Sequence, residues 1–348
     1  MNSNQHPSQT TSIDTEMPQK SMMKTLAITL SLLLLVYQIN LLTKHIKFRR
    51  SNTDVAATPA IKPAADFIGM TTALDPDDTL RSTDVVHTVR TQWPDHLTRM
   101  HPVLLTWAEP LSSNLYVVTD RHDPALVAMT RGGHVVVAES CDAGLDRDQR
   151  LVCQLGVELF TFAAHSPEAR WWCHWDDDTY VNVPELVQLL AGYDWRQKWY
   201  VGRPHADNGT RGVWYAVAGS GICMSRAVVD ELLPLTENGL LETMYAQHPL
   251  RDDVMLGHLV GDRLGVKLTV VKRMSSHAHW RSMRRLALGG DSTALRRQIS
   301  VGYNDRVHPE FPVGVRTFEA IVDPTRFFSF HCLLVPEADF CRLLPELE

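Results

Sequence analysis

The chain has 348 residues, 44% of them hydrophobic, which suffices for one large folded domain or two smaller ones. Its 40 acidic and 34 basic residues leave a net charge of −6. No clustered basic face interrupts that balance, which argues against nucleic acid as a partner. The six cysteines, Cys141, Cys153, Cys173, Cys223, Cys332 and Cys341, form an even set. An even set predicts three disulfides in an oxidising compartment and buried thiols in a reducing one, with the pairing left open.

Residues 1–24 are a polar tail. The run TLAITLSLLLLVYQINLLT, residues 25–43, carries no charge. As a helix it spans roughly 28 Å, close to the ~30 Å hydrocarbon core of a bilayer. No small-residue cleavage site follows, so the run predicts a transmembrane signal anchor rather than a cleaved peptide. Lys44, Lys47, Arg49 and Arg50 outnumber Lys20 and Lys24 across it, which by charge alone would leave the C-terminal side in the cytosol. The cysteine set and the glycosylation sequon at Asn208 point instead to a lumenal body and a type II orientation.

Residues 44–82 mix alanine, proline, threonine and charge without periodicity and read as a stem. From residue 83 to 348, strands and helices alternate. DVVHTVR (84–90), NLYVVTD (114–120) and HVVVAE (134–139) are expected strands, with a helix over 97–107. A helix over 146–165 leads into RWWCHW (170–175), a short buried strand. KWYVG (198–202), WYAVAGSGICMS (214–225) and VKLTVV (266–271) are further strands, and 252–264 is a helix. The alternation predicts an α/β domain with a mostly parallel central sheet and helices on both faces.

The strand RWWCHW runs into Asp176, Asp177 and Asp178. In an open α/β sheet, ligands bind at the carboxyl ends of strands. Three adjacent carboxylates repel one another, and a divalent cation relieves them. Mg²⁺ and Mn²⁺ take carboxylate, water and substrate phosphate oxygens. The triplet therefore points to a metal site for a nucleoside-diphosphate compound, although a solvated acidic turn is the plain alternative. Asp252 and Asp253 open a predicted helix, where capping is the plainer account taken alone and a general base is the functional one. His277 and His279, in SSHAHW, would share one face if that segment were extended. An imidazole there could complete a metal shell, and a pair of ordinary histidines is the alternative. AGSG (218–221) allows a close backbone approach or a tight bulge.

Taken together, these segments resemble the Fringe family of glycosyltransferases over residues 84–343. WWCHWDDDTYVNVPELVQLL is similar to the family's W-F-C-H-V-D-D-D-N-Y-V-N segment. WYAVAGSGICMSR, LRDDVMLGHLV, SSHAHW and DPTRFFSFHCLLVPEADFC each match a further family segment in the same order. DVVHTVRTQWPDHLTRMHPVLLTW fits the first strand and helix. The resemblance implies a GT-A-type nucleotide-sugar-binding fold, with 83–348 as a lumenal catalytic domain anchored in the Golgi membrane. It implies Asp176 and Arg99 as donor contacts, and Asp177, Asp178 and His279 as ligands of Mn²⁺ or another divalent cation. Asp253 matches the catalytic base. Arginine's planar fork suits phosphate oxygens. The implied disulfides are Cys141–Cys153, Cys173–Cys223 and Cys332–Cys341. Trp175 and Thr179 depart from the pattern, and mark where donor or acceptor choice would differ.

The reaction so implied is inverting β1,3 transfer of N-acetylglucosamine from UDP-N-acetylglucosamine to O-linked fucose, or a similar glycan, of a glycoprotein. A β1,3-galactosyltransferase shares D-D-D-T-Y-V and is the nearest rival. A catalytically silent lumenal glycan-binding module is a second rival, against which Asp253 and His279 argue.

Overall fold

The computed structural model describes residues 79–345 apart from 94, 132, 142–143, 205–213, 237–239, 291 and 305. The expected anchor at 25–43, the stem as far as residue 78, and Asn208 lie outside the described residues. Among the described residues, no helix is long and apolar enough to cross a membrane. The described residues belong to one compact unit, Met70–Glu348.

Ten strands are described: β1 Val85–Arg90, β2 Leu115–Thr119, β3 His134–Val137, β4 Trp171–Asp176, β5 Thr179–Val181, β6 Tyr200–Gly202, β7 Ile222–Ser225, β8 Leu268–Val270, β9 Met274–Ser275 and β10 Ser300–Gly302. Seven of them form the central sheet in the order β3-β2-β1-β4-β7-β6-β8. β3, β2, β1 and β4 run parallel, and β8 is parallel to β6. Only β7 is reversed against its two neighbours. The mostly parallel sheet expected from the alternation of elements is therefore present. A second sheet, β5-β10-β9, begins three residues after β4 ends.

Burial on both faces explains the strand composition, since parallel sheets sandwiched between helices read as continuous apolar runs. Side chains alternate between the faces. Trp171, Cys173 and Trp175 of β4 join Val85 and Val89 of β1 in one core, with α1 (His101–Leu105) and the second sheet. Trp172 joins Val86 in the other core, against α2 (Arg147–His165), α3 (Arg226–Leu232) and α4 (Asp252–His258). The start of α2 is held by a capping box. The Asp146 carboxylate accepts from the Gln149 amide while the Gln149 side chain accepts from the Asp146 amide.

All three disulfides implied by the family resemblance are present. Cys173–Cys223 joins β4 to β7 at directly paired positions. Two differences from expectation bear on the cavity described below. The expected strand over 214–225 is extended only at Ile222–Ser225, because Ala218–Ser220 folds into a 3-10 turn. Residues 277–279 are a 3-10 turn as well.

Candidate active site

A cavity of about 320 Å³ opens at the carboxyl ends of β1 and β4. Asp176, Asp177 and Asp178 line one part of it, and Asp252 and Asp253 another. Arg90, Arg99 and Gly219 also face it. The triplet and the second acidic pair, 74 residues or more apart in sequence, thus meet in one place.

The register that builds β4 explains the behaviour of Asp176. Its main-chain partner on β1 is Arg90. Strand alternation puts His174, Asp176, Thr88 and Arg90 on the face covered by α2, whose Glu158 is fully buried. Glu158 Oε2 lies 2.7 Å from His174 Nδ1, and the Thr88 hydroxyl donates to the same oxygen. His174 Nε2 and Arg90 Nη2 each stand 3.4 Å from Asp176 Oδ1. Arg90 also pairs with Asp252 and lies 3.8 Å from Glu158 Oε1. Burial lowers the affinity of His174 for its proton, but Glu158 and Asp176 together outweigh burial and the Arg90 charge and raise its pKa to about 9. Burial likewise opposes ionisation of Asp176, yet His174 and Arg90 hold its carboxyl well below the usual range. Asp176 is therefore a fixed anion, about a third exposed to the cavity.

Asp177 and Asp178 have much less compensation. The Thr91 hydroxyl donates to Asp177 Oδ2 at 2.7 Å. Arg99 Nη1 stands off at 3.5 Å from Asp177 Oδ1 and 3.9 Å from Asp178 Oδ2. Burial pushes Asp177 up to about 7, against the Thr91 hydrogen bond and Arg99. Burial, then the charges of Asp176 and Asp177, raise Asp178 well above the carboxylate range. Negative charge at the end of β4 thus exceeds the local positive charge. Two oxygen donors with such an excess suit a cation that takes its remaining ligands from substrate phosphate and water. Arg99 sits on a π-helical turn, His96–Met100, and faces the cavity beside both aspartates.

The histidine half of the expected donor set is arranged differently. In a strand, His277 and His279 would share a face; in the 3-10 turn they do not. His277 lines the cavity. His279 is turned into the protein, where its Nδ1 accepts from the Ser276 amide at 3.1 Å and its Nε2 lies 3.0 Å from the Pro204 carbonyl oxygen. Among the described residues, no three histidine, cysteine or acidic side chains are gathered in a metal-binding group.

Asp253 is buried at the start of α4, and both its oxygens lie 3.4 Å from Arg251 Nη2. Burial, then the charge of Asp252, push its pKa up to about 7, while Arg251 and the Ala218 amide oppose the rise. A carboxylate near neutrality beside a cavity is poised to accept a proton.

The two departures from the family pattern prove to be interior positions. Trp175 is fully buried and lies against His87, Trp107 and Gly221, so it does not reach the cavity. Gly221 adopts φ 87°, and a Cβ there would stand 2.0 Å from the Trp175 ring. Thr179 is also buried and donates to the Gly219 carbonyl at 2.9 Å, which fixes a residue of the cavity wall. Sequence reasoning missed Arg90, Glu158 and His174. The signal was the period-2 alternation of β4, which carries His174 and Asp176 to the face opposite Trp175.

Residues 80–338 match the family described as Fringe-like. The chain is 31% identical to the fringe glycosyltransferase of Drosophila melanogaster, over 74% of this chain and 63% of that protein. It is also 31% identical to a newt (Notophthalmus viridescens) β-1,3-N-acetylglucosaminyltransferase, radical fringe, over 76% and 67%. A human β-1,3-N-acetylglucosaminyltransferase, lunatic fringe, is again 31% identical over 74% and 69%. The chain thus spans about two thirds of the length of these relatives. A solved galactosyltransferase, LgtC, is similar at a TM-score of 0.45 and 13% identity, over 74% of this chain and 98% of that one. With the match extending over about three quarters of its length, the chain belongs to the Fringe-like family.

Proposed function

We propose that this chain is a metal-dependent inverting glycosyltransferase. It moves N-acetylglucosamine from UDP-N-acetylglucosamine, in β1,3 linkage, onto O-linked fucose or a similar glycan of a glycoprotein. Its setting is the Golgi lumen, with residues 25–43 as the anchor. The carrying observation is that a buried carboxylate poised near pH 7, Asp253, shares one cavity with the aspartate triplet. The names of the relatives support the sugar and the linkage.

Asp177 and Asp178 would hold the cation, which when bound neutralises the charge developing on the departing UDP. The guanidinium of Arg99 offers a second positive group to the phosphates. Asp176, held ionised by Arg90 and His174, accepts hydrogen bonds from donor hydroxyls. Asp253 takes the proton of the attacking acceptor hydroxyl. The bond between the acceptor oxygen and the anomeric carbon forms as the bond from that carbon to the phosphate oxygen breaks. UDP leaves with the electron pair, and the α-linked donor gives a β-linked product without a covalent enzyme intermediate.

A panel of UDP-sugars, with and without Mn²⁺, tests the reading. UDP-N-acetylglucosamine should turn over only with a divalent cation. Asp253→Asn should lose at least ~100-fold in rate while still binding UDP. Turnover of UDP-galactose alone would establish the β1,3-galactosyltransferase instead. Sugar binding with no UDP release would leave only a glycan-binding module.

A further inference from the structure

A second cavity, of about 290 Å³, lies on the far side of the turn that carries His277. Ser276 and Trp280 line it, whereas His277 and Ala278 between them line the first cavity. One turn of chain is therefore a shared wall. That wall is rigid. The Ser276 hydroxyl accepts from the Ala278 amide at 3.2 Å, and Ser276 is buried. The floor is shared too. A Cβ on Gly302 would stand 3.0 Å from both the Gly219 carbonyl and the Ser276 Cα, so only glycine lets β10 pack this closely behind the first cavity. The next residue, Tyr303, donates its amide to the Asp178 carbonyl at 3.1 Å.

The lining of this cavity differs from that of the first. It has no aspartate, and it combines an aromatic face with paired ions. The Trp280 indole is 39% exposed, with the Arg281 guanidinium 5.2 Å from its ring centroid. Arg284 Nε and Glu310 Oε1 face one another at 3.6 Å, each about half exposed, so their charges offset, and Arg306 adds a second guanidinium to the lining. His308 stacks on Tyr303. An accessible indole covers the apolar C–H face of a pyranose, and an arginine–carboxylate pair presents fixed donors and acceptors to its hydroxyls. A volume near ~300 Å³ is at the small end of ligand pockets and suits one sugar ring.

We propose that the second cavity is a neutral-saccharide subsite, lined by Trp280, Arg284 and Glu310, separate from the cavity that holds the aspartates. In combination with the transferase reading, on which this extension rests, it seats a part of the acceptor glycan away from the reacting hydroxyl. The chain of that glycan crosses the Ser276–Trp280 turn toward Asp253.

Saturation-transfer NMR on the full chain, with the methyl glycosides of fucose, galactose and N-acetylglucosamine as probes, reads the subsite without any turnover. At least one glycoside should receive saturation, and excess UDP should leave that signal unchanged. Trp280→Ala should reduce it at least tenfold. Glu310→Gln, at a half-exposed position that folding does not depend on, should reduce it severalfold. Absence of saturation with all three glycosides, persistence of the signal in both variants, or displacement by UDP would each overturn the subsite. UDP-sugar turnover is measured separately. A chain that binds the glycoside through Trp280 but transfers nothing keeps the subsite and loses the transferase reading. A chain that transfers with an acceptor KM unmoved by Trp280→Ala loses the subsite alone.

Discussion

Glu158→Gln isolates the charge network beneath Asp176. Glutamine keeps the volume and can still accept from Thr88, but it removes the negative charge 2.7 Å from His174 Nδ1. In the folded protein burial lowers the pKa of His174, and Glu158, with help from Asp176, more than restores it, from 6.5 to about 9. At about 1.4 kcal/mol per pKa unit, that rise corresponds to roughly 3 kcal/mol of folding stability. Because the folded pKa is the higher one, this stability is fully present below pH 6.5 and is lost as pH rises through about 9. The variant should therefore be destabilised by ~3 kcal/mol at pH 6.5, or about 6–12 °C in Tm for a domain of this size, with the gap closing toward pH 9. Urea denaturation at pH 6.5, 7.5 and 9, followed by tryptophan fluorescence, measures both the offset and its slope. A variant within ~1 kcal/mol of the parent at pH 6.5, with the same pH dependence, would show that Glu158 does not hold the His174 proton.

Three further outcomes are expected. Because burial raises Asp253 to about 7 and the base must be ionised, kcat/KM should rise about tenfold per pH unit below that value and level off above it; a flat profile down to pH 5 would remove Asp253 from the role. Replacing Cys173 and Cys223 together by alanine opens a loop of 50 residues and should cost about 4 kcal/mol in urea denaturation, against the parent under the same conditions. Gly221→Ala combines a positive φ with a Cβ inside the Trp175 ring, so a loss of at least ~3 kcal/mol in Tm-derived stability is expected; a Tm unchanged within 2–4 °C, about 1 kcal/mol, would mean that Trp175 can move aside.

The aspartate triplet shows how far sequence reasoning reached. Its place after an apolar strand already located it at the carboxyl end of a sheet, since β4 is buried on both faces and must stop where charge begins. The same local reasoning put Asp253 at a helix start, where capping alone was the plainer account. The tertiary structure adds that this helix end is buried against the same cavity and that its carboxylate is raised to about 7, which supports the proposed base role while its Oδ1 still accepts the Val254 amide. The histidine pair shows the opposite case. Two residues apart means one face in a strand and two faces in a 3-10 turn, and no local signal distinguished them. Trp175 and Thr179 stood out as departures, yet both point into the protein.

By itself the sequence determined the alternation of strands and helices, the acidic strand end, and an even cysteine set, because these depend on neighbours a few residues away. Only the tertiary structure decided what balances the charge. Arg90 is 86 positions from Asp176, and Glu158 meets His174 across a helix–sheet interface. Such pairings are set by strand order and register, which bring distant residues to one face and remove them from water. Burial, with the charges gathered by that register, then separates a fixed anion at Asp176 from a carboxyl raised to about 7 at Asp253.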